Sequence, residues 1–279
     1  MQVKICWANT DNFDESDIVI VGIPDESKSN ALRKGSSEAP DKIREISSIR
    51  DTYTRNGQIS LGLPISGIKK KIFDYGNVKK TDVGNVIDKI ISGSKIPISL
   101  GGDHSISLEI IKSISKKLGP ISLVYFDAHP DFIGSTRNYY GSVFYDSLPH
   151  IDTKSSLQIG IRTPEQEEIE NMKKYSITVI TPLDIVKNGI LKTEKMMLDK
   201  IGKKVYVSFD MDAIDPAYAP GVSVPVPMGL RNTEAIYLLK SLAKKIIGMD
   251  MMEVCPSYDI RDRTSHLASR MIAEIISSS

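Results

Sequence analysis

Apolar side chains recur in short runs along the chain, separated by longer amphipathic stretches. The runs lie at residues 17–24, 96–100, 121–126, 157–161, 177–180, 205–209 and 246–254. Most are rich in β-branched residues and continuous rather than alternating, which is typical of strands covered on both faces. This pattern predicts the strands of a buried sheet.

The amphipathic stretches have the spacing of helices. Residues 105–118 place an apolar side chain at every fourth position from Ile106 onward, and a Gly-Pro pair then ends the pattern. Residues 232–245 repeat it, with Asn232 or Thr233 as the candidate N-cap. Strands that alternate with helices indicate right-handed crossovers and a parallel sheet with helices on both faces. In such sheets ligands bind at the carboxyl ends of the strands, so chemistry is expected there.

Two stretches depart from this alternation. Residues 134–149 and 213–230 each follow an apolar run and are predicted to be long, irregular connections. Because long loops in a compact domain are often functional, both are candidates for functional loops.

The overall composition is that of an ordinary soluble chain. Of its 279 residues 41% are hydrophobic, and the formal net charge of +1 gives no electrostatic reason to expect a nucleic acid or a membrane as partner. The two cysteines, Cys6 and Cys255, form no Cys-x-x-Cys pair, which favours a reducing compartment. The chain shows no signal-peptide pattern, and no window approaches the ~18 apolar residues of a membrane span. We expect one cytoplasmic domain of residues 1–279.

Acidic residues and histidines cluster directly after three of the predicted strands. In extended backbone, side chains two positions apart point the same way, so members of one cluster can converge. Each cluster alone is explained equally well by a helix cap or a turn, but two of the chain's four histidines lie in them. The clusters are Gly101-Gly102-Asp103-His104, Asp127-Ala128-His129-Pro130-Asp131 and Asp210-Met211-Asp212.

Together the clusters predict a metal site. Four clustered aspartates carry about four negative charges, and burying them without compensation would be prohibitive. Two divalent cations would balance this charge. Carboxylate and imidazole ligands without thiolate suit Mn²⁺, with Co²⁺, Fe²⁺ or Zn²⁺ possible in vitro.

In this order and spacing, the three clusters closely resemble the signatures of the arginase/agmatinase (ureohydrolase) family, and agmatinases most of all. Matches at residues 21–24, 35–40, 208–221 and 253–259 extend the resemblance over nearly the whole chain. The resemblance implies a three-layer α/β/α sandwich with a mostly parallel eight-stranded sheet. It also implies two Mn²⁺ ions per chain and assembly as a homotrimer or homohexamer.

The family's metal ligands carry over onto this sequence residue by residue. The resemblance implies that two residues bind one ion, two bind the other and two bridge both. In that order, the pairs are His104 and Asp131, His129 and Asp212, and Asp127 and Asp210. Asp103 would orient a ligand or a metal-bound water from behind.

The same resemblance implies hydrolysis of a guanidino compound. Guanidinium carbon is a poor electrophile, and a hydroxide that bridges two metal ions is a strong enough nucleophile near neutral pH. The substrate's charge needs a carboxylate that is not a metal ligand, for which Glu253 is the candidate. Where the family has a histidine that hands a proton to the leaving amine, this chain has Tyr140. We expect His150 to be a surface loop residue rather than its replacement, and His266 to be structural.

Agmatine, which would yield putrescine and urea, is the expected substrate. Arginases recognise the amino-acid end of their substrate with polar side chains just after the second motif, where this chain has Phe132 and Ile133. An apolar wall there would suit the methylene chain of agmatine. Arginine, a guanidino acid and formiminoglutamate stay open as substrates, and Tyr140 leaves open an inactive member that keeps its metals. A dinuclear phosphoesterase fits badly, because it needs more histidines and an Asp-x-His motif near the N-terminus.

Overall fold

The fold is built on an eight-stranded sheet in which every strand pairing is parallel. A computed structural model describes residues 3–49, 54–55, 58–63 and 67–279. The strands are β1 (Ile18–Ile23), β2 (Thr54–Arg55), β3 (Gln58–Ile59), β4 (Ile72–Asn77), β5 (Ile96–Gly101), β6 (Ser122–Phe126), β7 (Leu157–Ile159), β8 (Thr178–Ile180), β9 (Val205–Asp210) and β10 (Ile246–Met252). The sheet order is β4-β1-β5-β10-β9-β6-β7-β8, and β2 and β3 form a separate antiparallel pair. The expected parallel sheet is confirmed.

Helices cover both faces of this sheet. They are α1 (Ala39–Ser47), α2 (Val83–Ser92), α3 (Ile106–Leu118), α4 (Val143–Ser147), α5 (Gln166–Lys174), α6 (Pro182–Asn188), α7 (Ile190–Lys200), α8 (Asn232–Leu242) and α9 (Arg263–Ser278). Within the described ranges, none is long and apolar enough to cross a membrane. Successive strand residues point to opposite faces, so Ile20 packs with α1, α8 and α9 whereas Val21 packs with α2, α3 and α4. The α/β/α sandwich is therefore confirmed.

All seven predicted strands are present, with ends displaced by at most two residues. The apolar pattern missed β4, because Asp74 and Gly76 interrupt its run. Asp74 is buried and accepts two hydrogen bonds, both of 2.9 Å, from the guanidinium group of Arg44 in α1. A strand that carries one member of a buried ion pair does not show in a pattern of apolar positions.

The two predicted helices are present as α3 and α8. The expectation that Asn232 or Thr233 is the N-cap of α8 is wrong, because the helix already begins at Asn232 and Arg231 is the cap. The backbone N–H of Arg231 donates to the Glu234 carboxylate at 3.0 Å, which is half of a capping box. Residues 134–149 are also less irregular than expected, since they contain α4.

The strand order brings four carboxyl ends side by side in the sheet, those of β5, β10, β9 and β6. The register aligns them: Met252 of β10 lies opposite Asp210 of β9, and Phe209 of β9 opposite Phe126 of β6. All three clusters of acids and histidines follow these strands. The fold therefore delivers them to one edge of the sheet, which is where ligands bind in open α/β folds.

A close backbone approach at Gly102 joins the first cluster to its neighbours. A Cβ atom at this position would lie 1.8 Å from the backbone oxygen of Asp25, so only glycine fits. The Gly102 carbonyl accepts a hydrogen bond from the backbone N–H of Glu253 at 2.9 Å. The turn after β5 is thereby set against the end of β10.

Candidate metal centre

The clusters after β5, β6 and β9 meet in two groups of side chains that share one aspartate. His104, Asp127 and Asp210 form the first group, and Asp127, His129 and Asp212 the second; within each group, one donor atom per residue lies within 4.8 Å of the others. Asp127 therefore stands between the groups, where a ligand common to two ions would have to be.

His104 lies at the centre of the first group. Its Nδ1 atom is 3.1 Å from Oδ2 of Asp127 and 3.1 Å from Oδ2 of Asp210. A third oxygen, Oδ2 of Asp131, is 3.4 Å away. One imidazole N–H cannot serve three carboxylates, whereas two ligands that each lie ~2.1 Å from an octahedral ion are ~3.0 Å apart. The spacing is that of side chains that share a cation.

The opposite nitrogen of His104 has a hydrogen-bond partner of its own. Its Nε2 atom lies 2.9 Å from the hydroxyl oxygen of Ser208, and that hydroxyl donates to the buried carboxylate of Asp250 at 2.9 Å. The Ser208 oxygen can then accept the N–H of Nε2, so Nδ1 is the nitrogen that would bind an ion. Burial opposes a charge on this imidazole, but hydrogen bonds to Asp127 and Asp210 outweigh burial and raise the pKa of His104 well above its ordinary value, so the carboxylates around Nδ1 call for a proton or a metal ion there.

The second group is the more open one. Nδ1 of His129 lies 3.0 Å from Oδ2 of Asp212 and 3.3 Å from Oδ1 of Asp127. The His129 side chain is 26% exposed, whereas those of Asp127 and Asp212 are almost completely buried. This group therefore opens to solvent on the His129 side.

Backbone N–H groups hold one oxygen of three of the aspartates. They donate from His129 to Asp127 Oδ1 at 2.6 Å, from Ala128 to Asp212 Oδ1 at 2.9 Å and from Asp212 to Asp210 Oδ1 at 2.7 Å. In each case the other oxygen faces a histidine. Asp127 Oδ2 is buried and lacks a hydrogen-bond partner among the described residues. These hydrogen bonds fix the orientation of the three carboxylates, so that their second oxygens converge on the two histidines without any bound ligand.

Burial and mutual repulsion make these acids costly to keep charged. Burial, followed by the charges of Asp212 and Asp127, raises the pKa of Asp210 well above its ordinary value. Burial and the charge of Asp127 act in the same direction on the pKa of Asp212 and of Asp131. Divalent cations would remove this penalty, and the mixture of carboxylate and imidazole donors fits Mn²⁺.

Glu253 lies beside the two groups but belongs to neither. Its Oε1 atom accepts the backbone N–H of His104 at 2.9 Å. Ser223 approaches the carboxylate closely enough to lower its pKa, yet neither Ser223 Oγ nor Glu253 Oε2, both buried, has a well-formed hydrogen bond within the described ranges. Burial dominates and raises the pKa of Glu253 to about 7. A φ of 61° strains the backbone, as is common where a side chain must be presented to a ligand.

Comparisons with known proteins agree with this geometry. A sequence model of the Arginase family matches residues 16–277. The agmatinase of Neisseria meningitidis serogroup C is 32% identical over 94% of this chain and 86% of that protein, and the proclavaminate amidinohydrolase of Streptomyces clavuligerus is 30% identical over 93% and 87%. The crystal structure of agmatine ureohydrolase from Thermoplasma volcanium has a TM-score of 0.86 at 33% identity, covering 99% of this chain and 94% of that one. This chain belongs to the arginase family.

Membership in the arginase family confirms the resemblance drawn from the three motifs. It also confirms the class of reaction, hydrolysis of C–N bonds in linear amidines. The family is metal-dependent, and the two groups around Asp127 could hold metal ions. Relatives with different names match at nearly equal identity, so membership alone does not select the substrate.

Asp103 and Tyr140 both contact the segment after β1. The Asp103 carboxylate accepts the backbone N–H groups of Lys28 and Ser105, each at 2.9 Å. These bonds fasten the turn after β1 to the start of α3. The expected role of Asp103 in orienting a ligand or a metal-bound water stays a prediction. The backbone N–H of Tyr140 donates to the Lys28 carbonyl at 3.4 Å.

The side chain of Tyr140 lies within the electrostatic field of the centre. Burial, followed by the charges of Asp131 and Glu253, raises the pKa of its phenol. The phenol therefore stays protonated near neutral pH, as a proton donor must.

The other two histidines lie away from the centre. His150 contacts Ser115 Oγ through Nδ1 at 3.0 Å, and its carbonyl accepts the N–H of Ile121 at the amino end of β6. Since Asp127 follows the carboxyl end of the same strand, His150 cannot take the place of Tyr140. His266 lies in α9, in the helical layer, as expected.

The apolar wall expected after the second motif is not formed by Phe132. The Phe132 side chain is completely buried and packs against the rings of Phe144, Tyr145 and Tyr175. It therefore faces the hydrophobic core rather than a substrate. Ile133 keeps only 9% of its surface exposed.

Several residues that support the centre were passed over in the sequence. Ser208 and Asp250, which hold His104, interrupt apolar runs, and such interruptions are the signal that could have found them. Arg162 donates to the carbonyl oxygens of Asp212 at 2.7 Å and Val226 at 2.6 Å, and so ties the loop after β9 to the centre. It follows a strand end like the acids do, but no motif includes it.

We expect Asp127→Asn to abolish the binding of at least one divalent ion, because Asp127 belongs to both groups and an amide is a weaker, neutral ligand. Manganese bound per chain after dialysis, measured by inductively coupled plasma mass spectrometry, reports the loss. Asp215→Asn is the matched control: Asp215 lies in the same acidic segment, but its carboxylate accepts the backbone N–H groups of Ala217 and Gly229. Retention of two ions by Asp127→Asn would contradict the shared position.

Proposed function

We propose that this chain hydrolyses agmatine to putrescine and urea at a centre of two Mn²⁺ ions. The observation that carries the proposal is the buried Oε2 atom of Glu253, which has no well-formed hydrogen bond within the described ranges and lies beside two groups of metal-ligand type. A guanidinium group needs a carboxylate that no metal ion has neutralised, and Glu253 is available in that way. Relatives named agmatinase and agmatine ureohydrolase support the choice of substrate.

Contacts in the two groups support most of the ligand set, and family membership supports Asp210 as the second bridge, since Asp210 lies in the first group alone. Asp127 is supported as a bridge by its place in both, and Asp131 as a ligand by its approach to His104. Divalent ions held there supply water at a pKa lowered from 15.7 toward ~7, and hence a strong nucleophile near neutral pH. The full set would be His104, Asp131, His129 and Asp212, with Asp127 and Asp210 as bridges.

Glu253 would bind the guanidinium group of the substrate. Oε2 has no well-formed hydrogen bond among the described residues, although Ser223 lies close to the carboxylate, and Oε1 uses one of its two lone pairs for the N–H of His104. Hydrogen bonds from guanidinium to both oxygens would be charge-assisted and directional. Because the backbone of Glu253 is bonded to Gly102, the carboxylate is fixed relative to His104, and the guanidinium carbon would be fixed with it.

Tyr140 would supply the proton that the leaving amine needs as the C–N bond breaks. Burial is the main reason that the pKa of this phenol is raised, and the charges of Asp131 and Glu253 act in the same direction. This combination supports Tyr140 as a general acid in the place of the family's histidine.

Release of urea tests the substrate. With Mn²⁺ added, we expect the highest kcat/KM for agmatine, and values lower by about tenfold or more for arginine and 4-guanidinobutyrate, because each of these carries a carboxylate that agmatine lacks. A preference for a guanidino acid would overturn the choice of agmatine but not the chemistry. No urea from any of the three, with two ions bound, would favour an inactive member of the family.

We expect Glu253→Gln to lower kcat/KM by roughly 10²-fold or more, since removing one partner of a buried, hydrogen-bonded charge pair costs about 2–5 kcal/mol. Bound manganese should stay unchanged. Glu168→Gln is the matched control, because Glu168 is also buried but accepts the backbone N–H groups of Phe132 and Glu165. Unchanged kinetics in Glu253→Gln would mean that another group holds the guanidinium.

We expect Tyr140→Phe to lower kcat by roughly 10²-fold, the lower end of what a general acid contributes, with little change in bound manganese. Tyr140→His should restore part of the rate, because histidine also carries a transferable proton. Tyr139→Phe removes the hydroxyl of the adjacent ring, which packs edge-on against Tyr140, and serves as control. Equal rates in Tyr140→Phe and the unmodified chain would exclude the phenol as proton donor.

A further inference from the structure

A tyrosine outside the three motifs touches the first group. Tyr125 lies in β6, two residues before Asp127, and is completely buried. Its hydroxyl oxygen is 2.5 Å from Asp131 Oδ2 and 3.1 Å from His104 Nδ1. Its ring stacks on the imidazole of His104, with centroids 4.7 Å apart and planes 2° apart. One side chain thus contacts both residues.

Asp131 is the aspartate of the centre that most needs such a contact. Its φ of 47° is left-handed, which is unfavourable for an aspartate. The other three aspartates each receive a backbone N–H on one oxygen. No such donor reaches the Asp131 carboxylate within the described ranges, where its hydrogen bond comes from the Tyr125 hydroxyl. The Tyr125 hydroxyl therefore fixes the Asp131 carboxylate by a hydrogen bond, as backbone N–H groups fix the carboxylates of the other three aspartates.

Core packing alone does not require this hydroxyl. The edge of the Phe144 ring meets the Tyr125 ring at a centroid distance of 5.4 Å, a contact that a phenylalanine would also make. Because the Tyr125 proton is donated to Asp131, the oxygen turns a lone pair toward Nδ1 of His104. The hydroxyl therefore contacts Asp131 and His104 at the same time, which a phenylalanine at this position could not do.

We infer that Tyr125 is a positioning residue, which holds Asp131 and His104 in the geometry that the first ion requires. The inference rests on the proposed function, since it takes the two groups to be ion sites. Tyr125 lies outside the three motifs and would act through two residues within them, Asp131 and His104.

Titration of the metal-free chain with Mn²⁺ alone, followed by the electron paramagnetic resonance signal of free Mn²⁺, tests this inference without any substrate. We expect Tyr125→Phe to weaken one of the two binding steps by roughly 10–100-fold, the usual effect of losing a hydrogen bond that orients a metal ligand, and to leave the other step unchanged. Asp131→Asn should weaken the same step.

Tyr237→Phe is the control. The Tyr237 hydroxyl in α8 donates to Glu194 Oε2 at 2.8 Å, and neither residue belongs to either group or to the hydrogen bonds that hold His104. The Mn²⁺ titration of this variant should match that of the unmodified chain. The melting temperatures of the metal-free variants show separately what a lost tyrosine hydroxyl costs the fold.

Two results would overturn the inference alone: equal Mn²⁺ affinities in Tyr125→Phe and the unmodified chain, or equal losses in Tyr125→Phe and Tyr237→Phe. The second result would mean that the loss of any tyrosine hydroxyl has the same effect. An Asp131→Asn chain that binds both ions normally would also overturn it, because Tyr125 could not then act through Asp131. Failure of the unmodified chain to bind Mn²⁺ would overturn the proposed function, and this inference with it.

Discussion

The convergence of buried negative charge at one edge of the sheet is the constraint on which the rest of the structure depends. Burial and the charge of Asp127 raise the pKa values of Asp131, Asp210 and Asp212, and Glu253 is buried beside them. Such a cluster is tolerable only with compensating positive charge. The two kinds of acid differ in what compensates them. The aspartates face imidazole nitrogens in geometry suited to divalent ions, whereas one buried oxygen of Glu253 has no well-formed hydrogen bond among the described residues and could accept one from a cationic substrate.

Each part of this centre is held by another part of the chain. The backbone of Ala128 holds Asp212, the backbone of His104 holds Glu253, and Gly102 accepts the N–H of Glu253. The centre therefore exists only once β5, β10, β9 and β6 have paired. The left-handed backbone at Asp131 and Glu253 also depends on the completed fold, because such strain persists only where the surrounding structure imposes it. Side chains are aimed before a ligand arrives, which reduces the cost of ordering them on binding.

Much of this arrangement could be predicted from the sequence, because it follows from rules of local pattern. Continuous apolar runs locate buried strands, and acids placed just after them must meet at one edge of a parallel sheet. That reasoning located His104, Asp127, His129, Asp210 and Asp212. What it missed depends on contacts between distant segments. Asp74 interrupts the apolar run of β4, and its burial depends on an ion pair with Arg44 in a distant segment. Tyr125 cannot be distinguished in the sequence from any other aromatic residue of the core. Phe132 was assigned to a pocket wall from its place after a motif, whereas its direction is set by the left-handed turn at Asp131 and by the rings it packs against.

Anomalous diffraction at the manganese absorption edge, from crystals grown with Mn²⁺, tests the central claim most directly. The account predicts two peaks per chain. One should lie among His104, Asp127, Asp131 and Asp210 and the other among Asp127, His129, Asp210 and Asp212, with Glu253 bound to neither. A single peak, or a peak coordinated by Glu253, would contradict it, since no free carboxylate would then be left to receive a guanidinium group.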